Sequence, residues 1–477
     1  MQEYVDIAEW ATLLLWYTGA MYPVIRGERA TAALICLLLA VVSIVAFLHF
    51  KHTNITVIRT ESGFVPSRVV IEVGDSITFK TAIGKDFWPA SNSHPTHDLY
   101  PAFDPKRALK SVESWTFIFD RAGVWGFHDH LHSDVHGTVI VRGSDGGSIS
   151  ACTRQKNAAT LKPECWAAEI AGLLAIKSLT AAFDTIRGWY EKDPEFRKNC
   201  HDVMHIVGSQ AYKEFSNSQT TIDRPETSYC GYGFYHGFME EMLFEKGLGE
   251  YGDARTYCEK VSATTLAASG PCYHGIGHAV FDSLDSSLWG NDAAMVGSAV
   301  KTCEAVLPSE YARARCLSGV FNALANAYSA RTYRLTFRDS EPIPICRTMK
   351  ALYQPFCYME LGNGYIRDKN WDTQQSFRFI KSLPNPSARL AVITGYMDTE
   401  VRRTIDTAPL ADLRSTCLMF SGVAEQTACM EGSVIGLCGI GESGKEQGLV
   451  RSYCGGYGPQ VQASCLASAA CLSGQNR

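Results

Sequence analysis

The chain has 477 residues and a formal net charge of −5, which allows two or three domains and argues against a nucleic-acid-binding protein. It contains 17 cysteines but no C-x-x-C pair, so nothing supports a zinc ribbon or c-type haem attachment. All but Cys36 follow residue 150, and widely spaced cysteines in even number favour disulfides and an oxidising compartment.

The N-terminal residues are apolar enough to predict a membrane anchor. Residues 31–48 form an uncharged run that is long enough to span a bilayer, and residues 10–25 form a second uncharged run. The earlier run is rich in Trp and Tyr, so it would either span the membrane or lie at its interface. Arg26 and Arg29 between the runs predict a cytoplasmic loop. We therefore expect residues 1–51 to hold one or two transmembrane helices in the cell membrane, with the remaining chain on the extracytoplasmic side.

Residues 52–143 predict a β-sandwich, because short segments alternate apolar and polar residues between Gly and Asp turns. The segments FVPSRVVIEVGDSITF, FIFDRAGVWGFHDH and HGTVIV resemble the cupredoxin family, which includes plastocyanin-like and multicopper-oxidase domains. The resemblance covers residues 54–143 and implies a copper site used in electron transfer. The segment has no cysteine, however, and the position of the family's ligand Cys is taken by Asp129 in one alignment and by His128 in another.

Six histidines in this segment predict a metal site. His128 and His130 are two apart on a predicted strand, so both side chains point to one face. Imidazole ligands suit Cu(II), Zn or Ni, and copper is favoured by affinity. Either Asp86 or Asp129 could add an oxygen ligand, and the alternative is a surface histidine cluster without metal. The predicted ligands are His94, His97, His128, His130, His132 and His136.

Residues 144–162 are rich in Gly, Ser and polar residues and predict a linker. From residue 163 to 477 the apolar spacing is helical, and a heptapeptide such as CYHGIGH at 272 recurs. Copies begin at 230, 272, 316, 357, 392 and 429, with a seventh at 465 or 471. This pattern predicts an all-α array of helical hairpins, either an open solenoid or a closed α/α toroid.

Most copies have a second cysteine 11–14 residues earlier, and the copy at 392 lacks both. Loss in pairs is typical of disulfides. The predicted pairs are Cys258–Cys272, Cys303–Cys316, Cys346–Cys357, Cys417–Cys429 and Cys454–Cys465, and by the same logic Cys200–Cys230 and Cys152–Cys165, with Cys438 bonded to Cys465 or Cys471.

The last position of the heptapeptide is polar in five successive copies: His236, His278, Asn322, Asn363 and Asp398. Two H-x-x-x-H pairs add neighbours on the same helix faces. One interpretation is a second metal site of unidentified metal, built from His201, His205, His236, His274 and His278 with Asp202, Glu240 or Asp282 as ligand or general base. The other is a ladder of buried polar groups, hydrogen-bonded to Tyr232, Asn322 and the backbone.

These features predict a membrane-anchored multidomain metalloprotein without a nucleic-acid or nucleotide partner. The P-loop-like GIGESGKE places Glu446 where a hydroxyl is needed, so it does not predict nucleotide binding. The first function hypothesis is copper binding with transfer of electrons or copper to a partner protein. The alternatives are a redox or hydrolytic metalloenzyme centred on the helical histidines, and a cell-surface interaction scaffold.

Overall fold

The computed structural model describes residues 52–92, 97, 100–121, 123–142, 166, 169–170, 173–174, 179–215, 222, 224–246, 251–264, 266–338, 343–405, 409–440 and 445–469. Contacts divide the chain into two units, residues 1–53 and 54–477. All strands and helices described below belong to the second unit.

Eight short strands come first along the chain: β1 (Asn54–Thr60), β2 (Gly63–Val65), β3 (Arg68–Glu72), β4 (Ser76–Thr81), β5 (Pro89–Ser91), β6 (Trp115–Ile118), β7 (Gly123–Asp129) and β8 (His132–Arg142). They form two four-stranded mixed sheets with strand orders β2-β1-β4-β6 and β3-β8-β7-β5. In each sheet one pairing is parallel, β1 with β4 and β3 with β8. Phe127 of the second sheet contacts Phe64 and Phe79 of the first, with ring centroids 4.9 and 5.2 Å apart, so the inner faces share one apolar core.

Helices follow from residue 179: α1 (Leu179–Lys192), α2 (Pro194–Asn199), α3 (His201–Phe215), α4 (Tyr229–Lys246), α5 (Tyr251–Thr264), α6 (Leu266–Asp282), α7 (Asp292–Val306), α8 (Glu310–Ala330), α9 (Gln354–Asp368), α10 (Thr373–Ser382), α11 (Pro386–Thr404), α12 (Leu410–Leu418), α13 (Val423–Cys438), α14 (Lys445–Cys454) and α15 (Pro459–Ser468). Their starts follow local capping rules. Asn291 and Ser309, for example, accept hydrogen bonds from the backbone N–H groups of the first turns of α7 and α8.

Helix α3 and the helices that carry the heptapeptide pack against one another in chain order. Helices α3, α4, α6, α8, α9, α11 and α13 each contact the next in that series. The Tyr190 hydroxyl on α1 donates to the carbonyl of Ile440, just beyond α13. The first described helices of this region therefore contact the last ones.

Six of the predicted disulfides are confirmed. Bonds join Cys200–Cys230, Cys258–Cys272, Cys303–Cys316, Cys346–Cys357, Cys417–Cys429 and Cys454–Cys465. Cys438 is also disulfide-bonded, and since Cys465 pairs with Cys454, the predicted alternative Cys438–Cys465 is excluded. Its other predicted partner, Cys471, and the predicted pair Cys152–Cys165 lie outside the described residues.

The predicted fold class is wrong. The described part of the chain is mostly helical, with two small mixed sheets in the same unit as the helices, rather than a membrane-anchored multidomain chain of a β-sandwich and a separate helical array. None of the described helices is both long and apolar enough to cross a bilayer. These helices pack on one another and mix apolar residues with glycine and polar residues, which differs from the uniform apolar surface that a lipid environment requires. The predicted spans 10–25 and 31–48 lie outside the described residues.

Candidate metal centres

The first candidate centre consists of His97, His128 and His130, which we call the three-His site. One nitrogen from each ring lies within 4.8 Å of the other two, and all three side chains are buried. His128 is the last but one residue of β7 and His130 directly follows the strand, and their ring centroids lie 5.8 Å apart. The Nε2 atom of His97 lies 3.0 Å from Nδ1 of His130. Nitrogens bound to one ion at metal–nitrogen distances of 2.0–2.1 Å lie about 2.9–3.4 Å apart.

Neighbouring polar groups orient these rings. The Nδ1–H of His97 donates to Asp104 Oδ2 at 2.6 Å, and Trp88 Nε1–H donates to the other oxygen of Asp104 at 2.8 Å. The Nδ1–H of His128 donates to Asn92 Oδ1 at 2.9 Å. Each bond leaves Nε2 of its ring as the lone-pair nitrogen, which is how ligating histidines are commonly held.

Burial sets the charge state of this site. It lowers the pKa of His130 to about 3 and the pKa of His128 well below the ordinary value of 6.5. Burial would raise the pKa of Asp104, but hydrogen bonds from His97 and Trp88 outweigh it and hold that pKa below its usual range. The neutral imidazoles of His128 and His130, near an ionised carboxylate, belong to a donor set that can hold a metal cation.

Of the other three histidines predicted for this site, the structure describes His132 and His136. His94 lies outside the described residues. The side chain of His132 is 41% exposed, and its Nδ1 lies 3.0 Å from Asp129. His136 pairs with His128 across β7 and β8, and among the described residues it belongs to no group of three candidate ligands.

The two predicted oxygen ligands also have other partners. Asp129 is buried in a salt bridge with Arg59 at 3.1 Å. Asp86 lies on the surface, 2.7 Å from Lys110. Neither carboxylate belongs to a three-ligand group within the part of the chain that the structure describes.

The second candidate centre contains all five helical histidines of the sequence prediction, and we call it the five-His cluster. His201 and His205 lie on α3, His236 lies on α4, and His274 and His278 lie on α6. The candidate ligand atoms form two groups of three, each within 4.8 Å, and His236 belongs to both groups. Within each i,i+4 pair the Nε2 atoms face each other, 3.3 Å apart on α3 and 3.2 Å apart on α6.

The start of α4 positions His201. Cys230, Gly231 and Tyr232 have left-handed φ values of 57°, 64° and 63°, which interrupt the helix. The Cys200–Cys230 disulfide holds this turn against the start of α3. The Nδ1–H of His201 donates to the Cys230 carbonyl at 2.8 Å, so Nε2 of His201 is left for the cluster.

Glu240 lies one turn after His236 on α4, and its carboxylate lies near one histidine of each i,i+4 pair. Its Oε2 accepts from His205 Nδ1–H at 3.2 Å, and its Oε1 lies 4.0 Å from His278 Nδ1. Burial would raise the pKa of Glu240, but the neighbouring histidines outweigh it and lower that pKa. An ionised carboxylate behind ligating histidines increases their basicity and fixes their orientation.

The remaining carboxylates predicted for the cluster differ in position. Asp282 is buried at the end of α6, and burial together with repulsion from Glu240 raises its pKa well above the ordinary value. The hydroxyl of Tyr333 donates to Asp282 at 3.4 Å. The side chain of Asp202 lies outside the described part of the structure.

Burial favours the neutral form of His236, His274 and His278, and two of these rings carry a buried nitrogen that no described protein group satisfies. Burial lowers the pKa of His278 to about 4 and the pKa of His236 and His274 well below 6.5. The Nδ1 atoms of His236 and His274 are buried and make no hydrogen bond with any described residue. Leaving a buried polar atom without a partner costs roughly 1–3 kcal/mol.

The later positions of the polar series behave differently. Asn322 donates to Glu360 at 2.9 Å, Asn363 donates to Thr399 at 2.7 Å, and Asp398 accepts from Arg402 at 2.9 Å. The polar-ladder interpretation therefore describes these three positions. At the first position of the series, His236 instead has a buried nitrogen without a hydrogen bond to a described residue, which could bind a ligand.

Glycines allow the helices that carry the cluster to approach closely. A Cβ atom on Gly237 would lie 2.0 Å from the His205 carbonyl oxygen, and one on Gly277 would lie 1.9 Å from the Cys316 carbonyl oxygen. Only a residue without a side chain fits at these contacts. Each glycine is adjacent to a cluster histidine, so close packing and ligand placement are coupled.

Both centres can hold a metal ion, and no cysteine sulfur lies in either group of ligands. The residues that orient the three-His site, Trp88, Asn92 and Asp104, were not predicted from the sequence, because no spacing rule connects them to the histidines. No protein-family model matches the chain, and no curated protein has a significantly similar sequence.

Proposed function

We propose that this chain is a redox metalloprotein of an oxidising, extracytoplasmic compartment, in which electrons pass between the three-His site and the five-His cluster. The observation that carries the proposal is an aromatic contact between the two centres. His130 of the three-His site packs against Trp289 and Tyr333 of the helical region. The six described disulfides support the compartment.

The aromatic contact is continuous. The ring centroid of His130 lies 5.2 Å from Trp289 and 6.1 Å from Tyr333, and the ring of Tyr333 is stacked at 21°. Trp289 and Tyr333 contact each other at 5.1 Å. The Tyr333 hydroxyl donates to Asp282, which lies one turn after His278 on α6. Packed side chains thus connect a ligand of one centre to the helix that carries ligands of the other.

The backbone around Tyr333 supports a functional role for this contact. Tyr333 is 3% exposed and has a left-handed φ of 52°, as has Arg334 at 59°. An aromatic residue rarely adopts this conformation, which costs of order 1–3 kcal/mol and persists where the surrounding structure demands it. The chain accepts this cost in placing the Tyr333 ring against His130.

Copper is the metal we propose for the three-His site. Three imidazoles favour copper by affinity, and the resemblance of residues 54–143 to cupredoxins points to the same ion. A redox-active ion such as copper would supply one-electron chemistry at each centre. No sulfur ligand lies in either group, so we expect no blue thiolate charge-transfer band.

Electron exchange between the centres tests the proposal. The full chain is loaded with copper, a pulse of photoreductant reduces it partially, and the first-order phase independent of protein concentration reports intramolecular transfer. We expect Trp289→Leu and Tyr333→Leu to slow that phase at least tenfold. Tyr328→Leu is the control, because Tyr328 is also buried but donates to Asp292 and contacts Phe337. An unchanged rate in Tyr333→Leu, or no intramolecular phase in the unvaried protein, would contradict the proposal.

A second candidate is a metal-dependent hydrolase at the five-His cluster, favoured by buried Glu240. Its pKa is lowered and it is buried beside the cluster, so it is a carboxylate that could take a proton from a metal-bound water. A hydrolase would work with zinc, whereas electron transfer would not. Activity of the zinc-loaded protein toward ester or phosphoester substrates, abolished by Glu240→Gln, would favour this candidate.

A further inference from the structure

We propose that the five-His cluster binds two metal ions, one at the pair His201 and His205 and one at the pair His274 and His278, with His236 as the shared ligand. This inference rests on the proposed function only in requiring that the cluster binds metal. It adds the number of ions, their positions and the ligand between them.

Each pair already has the dimensions of a chelate. The Nε2–Nε2 separations are 3.3 Å for the α3 pair and 3.2 Å for the α6 pair. Two nitrogens on one ion, at the usual bond lengths, lie about 2.9–3.4 Å apart. An ion therefore fits between the members of each pair without a change in the helices.

The grouping of ligand atoms favours two ions over one. Among the described residues, the five histidines form two groups of three around His236 rather than one group of five. The ring of His236 lies between the pairs, with centroids 5.0 Å from His201 and 4.7 Å from His278. An imidazole ring has two nitrogens and can serve both groups.

A buried nitrogen on the ring of His236 also supports a position for this residue between two ions. The Nδ1 atom of His236 is buried and makes no hydrogen bond with a described residue. A ring that binds an ion at each nitrogen has no N–H proton, so filling the second position releases one proton to solvent. The orphaned nitrogen is then satisfied by an ion.

Glu240, like His236, lies on α4 between the two histidine pairs. One of its oxygens lies 3.2 Å from the Nδ1 of His205, and the other lies 4.0 Å from the Nδ1 of His278. A single carboxylate thus supports one histidine of each pair. Two cations in a buried site need such negative charge nearby.

Copper stoichiometry and electron paramagnetic resonance test this inference in the full chain. His128→Ala is introduced first, so that the three-His site does not contribute copper. We expect two Cu(II) per chain and a doubly integrated signal below one tenth of the total copper, because two spins joined through one imidazole ring couple. In the same background, His201→Ala or His274→Ala should leave one copper with its full signal. His236→Gln should remove the coupling. Asn322→Ala, at the equivalent position of the repeat that begins at residue 316, should change nothing.

The outcomes separate this inference from the proposed function. One copper per chain in the His128→Ala background would overturn the two-ion site and leave electron transfer standing. No copper would overturn both. Two coppers with a full signal would overturn the shared role of His236. The unvaried chain, in which every candidate ligand is intact, should bind three coppers, one at the three-His site and two at the five-His cluster, so a variant that fails to fold does not remove the test.

Discussion

Removing the Cys258–Cys272 disulfide should weaken the five-His cluster more than it weakens the protein as a whole. Cys272 lies two residues before His274 on α6. Pro271 precedes it inside the same helix and has no N–H to donate, so the helix lacks one of its own backbone hydrogen bonds there. The disulfide therefore fixes the approach to His274. We expect the double variant Cys258→Ala/Cys272→Ala to lose metal at the α6 pair.

The free energy of unfolding lost with this disulfide can be calculated, and a second disulfide of similar value provides a control. The disulfide closes a loop with a sequence separation of 14, which the chain-entropy model values at about 3 kcal/mol. The Cys454–Cys465 disulfide has a separation of 11 and a value of about 3 kcal/mol by the same relation. Cys454→Ala/Cys465→Ala is therefore a control of equal cost, located away from the cluster histidines.

The assay compares metal retention at equal loss of stability. Urea unfolding followed by circular dichroism gives the free energy of unfolding, and metal analysis after exposure to a competing chelator gives the occupancy of the cluster. We expect both double variants to lose about 3 kcal/mol. Only the Cys258/Cys272 variant should also lose metal affinity, by at least tenfold. Equal metal loss in both variants would show that the disulfide acts through overall stability, and the local argument would be wrong.

Three further predictions concern single sites and pH. Asp104→Asn removes the carboxylate that accepts a hydrogen bond from His97, so metal affinity at the three-His site should fall roughly 10- to 100-fold. Competition with a chelator measures this affinity, and Asp86→Asn, on the surface, is the control. Gly237→Ala places a Cβ 2.0 Å from the His205 carbonyl oxygen, so metal analysis should show loss at the five-His cluster and retention at the three-His site. Burial lowers the pKa of the clustered histidines in the folded state, so the metal-free protein should be most stable above pH 6.5 and lose stability as pH falls toward 4. A histidine shifted from 6.5 to about 4 contributes about 3 kcal/mol to that loss, and a flat urea midpoint between pH 7 and pH 4 would contradict the shifts.

Local spacing explains what the sequence predicted correctly. The disulfide between Cys303 and Cys316 closes a short loop, and the pair His274 and His278 lies one helical turn apart, so each can be deduced within a short window. His236 was deduced because the heptapeptide repeats place equivalent positions on neighbouring helices. The repeat also predicted polar groups at Asn322 and Asn363 but not which groups protein partners would satisfy.

Long-range contacts explain what was missed. His130 and Tyr333 are about 200 positions apart, and no periodicity connects a strand end to a loop after α8. Asp104 orients His97 from seven positions further along the chain, and no periodic spacing connects the two residues. The mixed sheets were missed because alternation identifies strands but not the parallel pairings between them.

The contact between Tyr190 and the carbonyl of Ile440 can form only late in synthesis, so the packing of the helical region is completed late as well. The two residues are 250 positions apart in the chain. At a translation rate of 5–20 residues per second, Ile440 is made roughly 12–50 s after Tyr190. Until then the nascent chain presents the surface of α1 that meets the last helices without its partner. A ribosome-bound chain that stops before residue 440 should therefore be a better chaperone client than the finished protein.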